Sequence, residues 1–179
     1  GNPKAILFYA GMLPGFFDLT RLTAVDIAVI VALSMIVPLI GAQKRWHSWM
    51  AVAEPAAGAQ FALTALSFGA LMWAFIVSDF SLRLVWLNSH SAKPMLYKIS
   101  GTWGNHEGSM LLWVLILTVF GAAAAAFGAN LPPALRARAL AVQAWIGIGF
   151  YLFILLTSNP FERQLPPAAD GLGLNPLLQ

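Results

Sequence analysis
Apolar residues are gathered into long runs and polar ones into the gaps between them. Four runs are long enough to cross a bilayer as helix, which takes about 20 residues: 24–40, 56–77, 110–128 and 139–157. The first carries Asp26 near one end and Pro38 near the other. The second opens with Glu54-Pro55, and a proline in the first helical turn forfeits no backbone hydrogen bond. The pattern predicts an all-α integral membrane protein with four transmembrane helices and a long external loop between helices 2 and 3. Residues 21–157 form the membrane domain, and 158–179 an external proline-rich tail. Residues 1–20 are apolar but broken by Gly11, Pro14 and Gly15, and lack the basic start and cleavage site of a signal peptide. They read either as an interfacial segment or as the remnant of a longer upstream helix.

Composition removes the other classes. Of 179 residues, 59% are hydrophobic and 9% charged, against about 25% charged in a soluble domain. A disordered chain would need low hydrophobicity and high net charge. The net charge of +3, from ten basic and seven acidic residues, is too thin for nucleic-acid binding. There is no cysteine, which excludes disulfides, thiolate metal sites and cysteine nucleophiles. The chain starts at Gly1 without a methionine and stops at Gln179 without a polar tail, as a fragment would.

Lys and Arg near the span ends set the orientation. The short loop after span 1 holds Lys44 and Arg45, with Trp46 and Trp49 placed as interfacial anchors, and the short loop after span 3 holds Arg136 and Arg138. The loop after span 2 spreads Arg83, Lys93 and Lys98 over a longer stretch, and the tail has Arg163 alone. Cation density therefore puts the two short loops in the cytoplasm and leaves loop 79–108 and tail 158–179 outside. Small residues, from Gly121 to Ala126 and at Gly58, Ala62, Gly69, Gly147 and Gly149, allow helices to approach closely. No span has an ionisable residue near its centre, where an ion path would place one.

Candidate chemistry is concentrated between Ser78 and Trp113. This stretch holds His90 and His106, Trp86, Trp103, Trp113 and Tyr97, and the cations Arg83, Lys93 and Lys98. Aromatics at a membrane surface anchor it, or they form a platform for a planar cofactor with cations for its carboxylates. Trp103 fits either reading. Asn105 is placed to cap span 3, and Glu107 suits the positive end of the helix dipole, whereas His106 gains nothing from that position. His90 lies in a Ser/Asn-rich turn that predicts a solvated ring, and His47 sits beside Trp46 at an interface. The spacing argues against zinc, because no second histidine follows His106 four residues on. Ser109 lacks the glycine-flanked turn that presents a hydrolase nucleophile.

Three motifs in order carry a resemblance. They are Trp103-Gly104-Asn105-His106-Glu107-Gly108-Ser109 with Leu111-Leu112-Trp113, then Thr157-Ser158-Asn159-Pro160-Phe161, then Leu174-Asn175-Pro176-Leu177-Leu178-Gln179. Asn88-Ser89 and Asp170-Gly171 accompany them. Over about residues 21–179 the chain resembles the CcmF/NrfE-type subunit of the bacterial cytochrome c haem lyase. The resemblance implies a multi-pass protein of the bacterial inner membrane, with loop 79–108 and the tail periplasmic. It implies haem as cofactor, and as partners membrane lipid, other maturation subunits, a haem chaperone and an apocytochrome with a Cys-x-x-Cys-His motif.

In the resembled family the first external haem-ligating histidine follows the Leu-Asn-Pro-Leu-Leu-Gln motif, so the ligands are expected beyond Gln179. No catalytic residue or metal ligand is therefore assigned within these residues. Trp103, His106 and Glu107 are expected to support a haem platform rather than ligate iron, with Trp86, Lys93 and Lys98 beside it and a lysine near the haem propionates. On this reading the 179 residues alone are an inactive, N-terminal part of a lyase. The competing reading is a transporter or energy-coupling subunit that uses His106-Glu107 as a proton or ion site. A third makes the segment a scaffold for partner helices, without haem binding of its own.

Overall fold
Three helices carry the architecture of this computed structural model, which describes residues 36–44 and 46–173. A short helix α1 (His47–Met50) leads into α2 (Ala53–Val77). Two further short helices follow, α3 (Arg83–Asn88) and α4 (Met95–Gly101). Then come α5 (His106–Phe127) and, after a 3-10 turn at Gly128–Asn130, α6 (Pro133–Leu156). Among the described residues the only β pairing is an isolated antiparallel bridge between Leu82 and Arg163. The predicted segment 1–20 and most of the predicted span 24–40 lie outside the described residues, of which 36–44 are helical.

The long helices are built for lipid. α2, with 25 residues, is about 37 Å long at 1.5 Å per residue, against a hydrocarbon core of about 30 Å. The stretches His47–Val77, His106–Asn130 and Pro133–Leu156 are each long and apolar enough to cross a membrane. Their outer faces carry Leu66, Trp73, Phe120, Phe127 and Leu156, all well exposed. Each helix runs a few residues beyond its apolar stretch because its ends are specified by polar chemistry. α6 starts on Pro133, whose missing N–H would have no partner in a first turn anyway. α2 has Glu54 and Pro55 in its first turn for the same reason and for the helix dipole.

The chain divides into two compact units. One takes the residues up to Gly58 with Ala123–Trp145. Its core is small-residue packing of Ala42, Met50, Ala53, Ala57, Ala137 and Leu140. Glu54 and Arg136, in the first turns of α2 and α6, form an ion pair there, beside a pocket of about 150 Å³ that His47 also lines. Trp46 and Trp49 meet edge to face at 5.0 Å, and the Lys44 ammonium stands 4.9 Å over the Trp46 ring.

The other unit takes Ala59–Ala122 and the residues from Ile146 on. Its core joins Leu71 and Phe75 of α2, Val85 of α3, Val114 of α5 and Ile154 of α6. A polar contact crosses this apolar packing. The Thr64 hydroxyl donates to the Gln60 carbonyl at 2.7 Å and lies 2.6 Å from the Tyr151 hydroxyl. Thr64 has one proton, already given to Gln60, so Tyr151 is the donor between α2 and α6. Tyr151→Phe deletes only that hydroxyl and is expected to destabilise the fold by about 0.5–1.5 kcal/mol. Unfolding of the purified protein in mixed micelles measures this, and unchanged stability would show that the bond contributes nothing.

Candidate functional site
The segment between α2 and α5 is an ordered cap on the ends of the apolar helices. It starts where α2 stops. Ser78 adopts φ 58, and the Asp79 amide turns back to the Ala74 carbonyl at 2.9 Å, closing the helix in the left-handed manner. Lys98, at the far side of α4, is buried and donates its ammonium to the Ser78 hydroxyl at 2.7 Å. A cation there also meets the negative end of the α2 dipole. Asp79 then accepts from the amide and hydroxyl of Ser81 at 3.1 and 2.6 Å, which starts the turn into α3.

The cap ends where α5 begins, in the Trp103–Ser109 motif. The Asn105 side chain accepts from the Gly108 amide at 2.6 Å and donates to the Gly101 carbonyl at 2.7 Å. It thus fulfils the capping role expected of it and ties α5 to the end of α4. Gly108 is required by proximity: a Cβ there would overlap the Thr102 carbonyl oxygen. Glu107 occupies the first turn, as the helix dipole favours.

His106 is the first residue of α5 and is exposed. Its ring lies edge-on to Phe153 of α6 at 6.0 Å. With Met110, Ile146, Gly149 and Phe150 the two rings line an open apolar groove of about 350 Å³. The Ser109 hydroxyl donates to the His106 carbonyl at 2.9 Å, a local bond that does not use it as a nucleophile. Among the described residues, no group of three or more His, Asp or Glu could hold a metal ion.

The other predicted residues are placed as follows. Trp103 is exposed in the turn before α5. Trp86 is half-buried on α3, and its carbonyl accepts the Leu172 amide at 2.7 Å. Lys93 donates to the Asn88 carbonyl at 2.8 Å, which leaves two of its N–H groups available. The structure brings His106 to the groove with Phe153 and, apart from it, engages Lys93 and Lys98 in holding the cap together.

Sequence reasoning missed the docking of residues 158–173 onto this cap. The Arg83 amide donates to the Glu162 carbonyl at 2.9 Å and the Gln164 amide to the Ser81 carbonyl at 2.9 Å. Asp170 then accepts from the amide and hydroxyl of Ser91 at 3.0 and 2.6 Å, and from the Gly171 amide at 2.7 Å. His90 is half-buried beside it, with Nε2 3.5 Å from the carboxylate and Nδ1 accepting from the Ala92 amide at 3.1 Å. The solvated ring expected for His90 is corrected, because its turn is covered by a segment 79 residues on. Asp170-Gly171, visible as a motif, was the available signal.

These features define a class, the helical membrane proteins, with a folded polar cap on apolar helices. No family model matches the chain. It is 62% identical over 157 residues to a cytochrome c-type biogenesis protein of Rhodobacter capsulatus, covering 87% of this chain and 24% of that protein. It is 47% identical over 169 residues to the cytochrome c-type biogenesis protein CcmF of Pseudomonas aeruginosa, covering 94% of this chain and 25% of that one. A solved structure, the cytochrome c heme lyase CcmF, superimposes with TM-score 0.66 and 26% identity, over 75% of this chain and 22% of that chain. The chain belongs to the CcmF/CycK/NrfE family of cytochrome c biogenesis proteins and spans about a quarter of the length of the relatives it matches.

Two outcomes follow for the cap. Gly108→Ala is expected to destabilise the protein by about 1–3 kcal/mol. Gly69→Ala, where a Cβ meets nothing within 4 Å, is expected to be neutral or stabilising by up to about 1 kcal/mol. Parallel unfolding curves compare the two, and equal effects would contradict the close approach at Thr102. The hydrogen bonds from Ser91 hold the Asp170 carboxyl at about 2, below its ordinary 3.8. Its contribution is full above the unfolded value and is lost as pH falls from about 4 to about 2. Exchange protection of the Leu172 and Gly173 amides should fall over that window, and in Asp170→Asn it should not change there.

Proposed function
We propose that this chain is part of a membrane haem lyase, which handles haem at the periplasmic face and helps attach it covalently to apocytochrome c during cytochrome c maturation. The observation that carries this reading is the superposition on a solved cytochrome c heme lyase, together with 62% identity to a cytochrome c-type biogenesis protein. In this reading the predicted first span joins the three described membrane-capable helices to make four, in the bacterial inner membrane. The cap and the docked segment 158–173 face the periplasm. Other maturation subunits, a haem chaperone and an apocytochrome carrying a Cys-x-x-Cys-His motif are the partners.

Haem fits the chemistry of the groove as a neighbour more than as a ligated group. His106 stands with Phe153 on an apolar wall, with Trp103 exposed three residues before it. Such a wall accepts a porphyrin face or edge, while axial ligands come from elsewhere in the longer protein. Trp103, His106 and Glu107 are assigned to shaping and supporting the platform, and Trp86 to the layer beneath it. Lys93, with two N–H groups to spare, is the freer of the two lysines for a propionate. Lys98 acts from below, by holding α4 on α2.

Substituting both His106→Ala and Glu107→Gln in the full-length protein tests the assignment. Holocytochrome c yield is expected to fall roughly tenfold or more, as when groups supporting a metal centre are lost, while the protein still reaches the membrane. Wild-type yield would remove the role. Haem absorbance in the purified full-length protein is expected as well. Its absence would favour the transporter reading.

A further inference from the structure
The helix α4 is inside out for a segment that faces water. Its one charged side chain, Lys98, is 9% exposed, whereas Leu96 is 73% exposed and Met95 and Tyr97 about as open as their neighbours in lipid-facing helices. A helix on an aqueous surface presents the reverse pattern, with apolar residues inward and lysine outward. The inversion is fixed by two contacts on the inner face. The Lys98 ammonium is bound to the Ser78 hydroxyl. One turn on, a Cβ at Gly101 would stand 3.2 Å from the Phe75 ring.

Those contacts also set the depth of α4. Phe75 belongs to the last turn of α2, so the last turn of α4 is held alongside the end of a membrane-capable helix. Near that end, Trp73 and Val77 of α2 are exposed, as is Trp113 in the second turn of α5. The exposed face of α4 is therefore apolar close to a level at which the membrane-capable helices also expose apolar side chains. Tyr97, with an apolar body and a polar edge, is a residue type that settles at the headgroup level.

We propose that α4 is an interfacial helix, with Met95, Leu96 and Tyr97 set into the membrane–water boundary, and that its occupant is bilayer lipid. Lys98 makes this orientation obligatory. Rotating the apolar face away from lipid would take the ammonium off Ser78. The cap is then seated on the membrane surface as well as on the helix ends.

The proposal does not depend on haem, so its failure is distinguishable from failure of the lyase reading. The test uses the full-length protein in vesicles of phosphatidylethanolamine and phosphatidylglycerol, with a fluorophore on a single introduced cysteine. These 179 residues contain no cysteine, and any elsewhere is replaced by serine. Leu96→Cys reports on the face, and Ala92→Cys, exposed in the turn before α4, is the aqueous control.

The label at 96 should emit to the blue of the label at 92. It should be quenched most by lipids brominated at shallow depth, about 5–10 Å below the interface, and less than the control by aqueous iodide. Equal iodide quenching at the two positions, without lipid quenching, would overturn the proposal in favour of a water-facing helix. Protection of position 96 from both quenchers would overturn it in favour of a protein cover.

Discussion
A helix that leaves hydrocarbon must dispose of main-chain groups that have no partner in its last turn, and it must do so where water is scarce. That constraint organises the whole of residues 78–105. At the end of α2 the answer is a left-handed Ser78 with a buried lysine laid over it. At the start of α5 it is an asparagine cap, with a glycine that lets the preceding carbonyl come close. The short helix α4 lies between the two solutions, with Lys98 serving one end and Gly101 the other. The cap is a consequence of closing two helices by one connection.

Closure of this kind makes a rigid surface from very little chain. The docked segment 158–173 adds main-chain hydrogen bonds and a carboxylate that gathers three donors. Gly171 and Gly173 lie so close to the Asn88–Ser89 backbone that a Cβ at either would overlap it. His106 begins its helix from this fixed base, and its ring is steadied by Phe153 from a second helix. The platform role proposed for His106 depends on such immobility, because platform geometry is only as good as the elements beneath it.

How much of this was legible follows from what each residue depends on. The apolar helices are written in composition, and the Asn105 cap in local sequence, since its partner is three residues away. Lys98 was not legible: a lysine in a loop reads as solvated, and its partner lies 20 residues back. His90 failed for the same reason, as the group covering it is remote in sequence. Asp170-Gly171 stood out as a motif, but the close approach between backbones that Gly171 and Gly173 permit leaves no local pattern. The function rested on motif resemblance, and relatives of 47–62% identity support the family where the residues alone left three classes open.

The Thr64 hydroxyl has a consequence for what α2 asks of the lipid around it. Because it gives its proton to a carbonyl of its own helix, the Thr64 hydroxyl brings no unsatisfied donor into the bilayer. At this residue α2 needs no partner from a helix whose contact residue is 87 positions later. Tyr151, arriving afterwards, finds a vacant lone pair on a helix already in place. The polar contact between α2 and α6 thus asks nothing of the earlier helix at Thr64 until the later one is beside it.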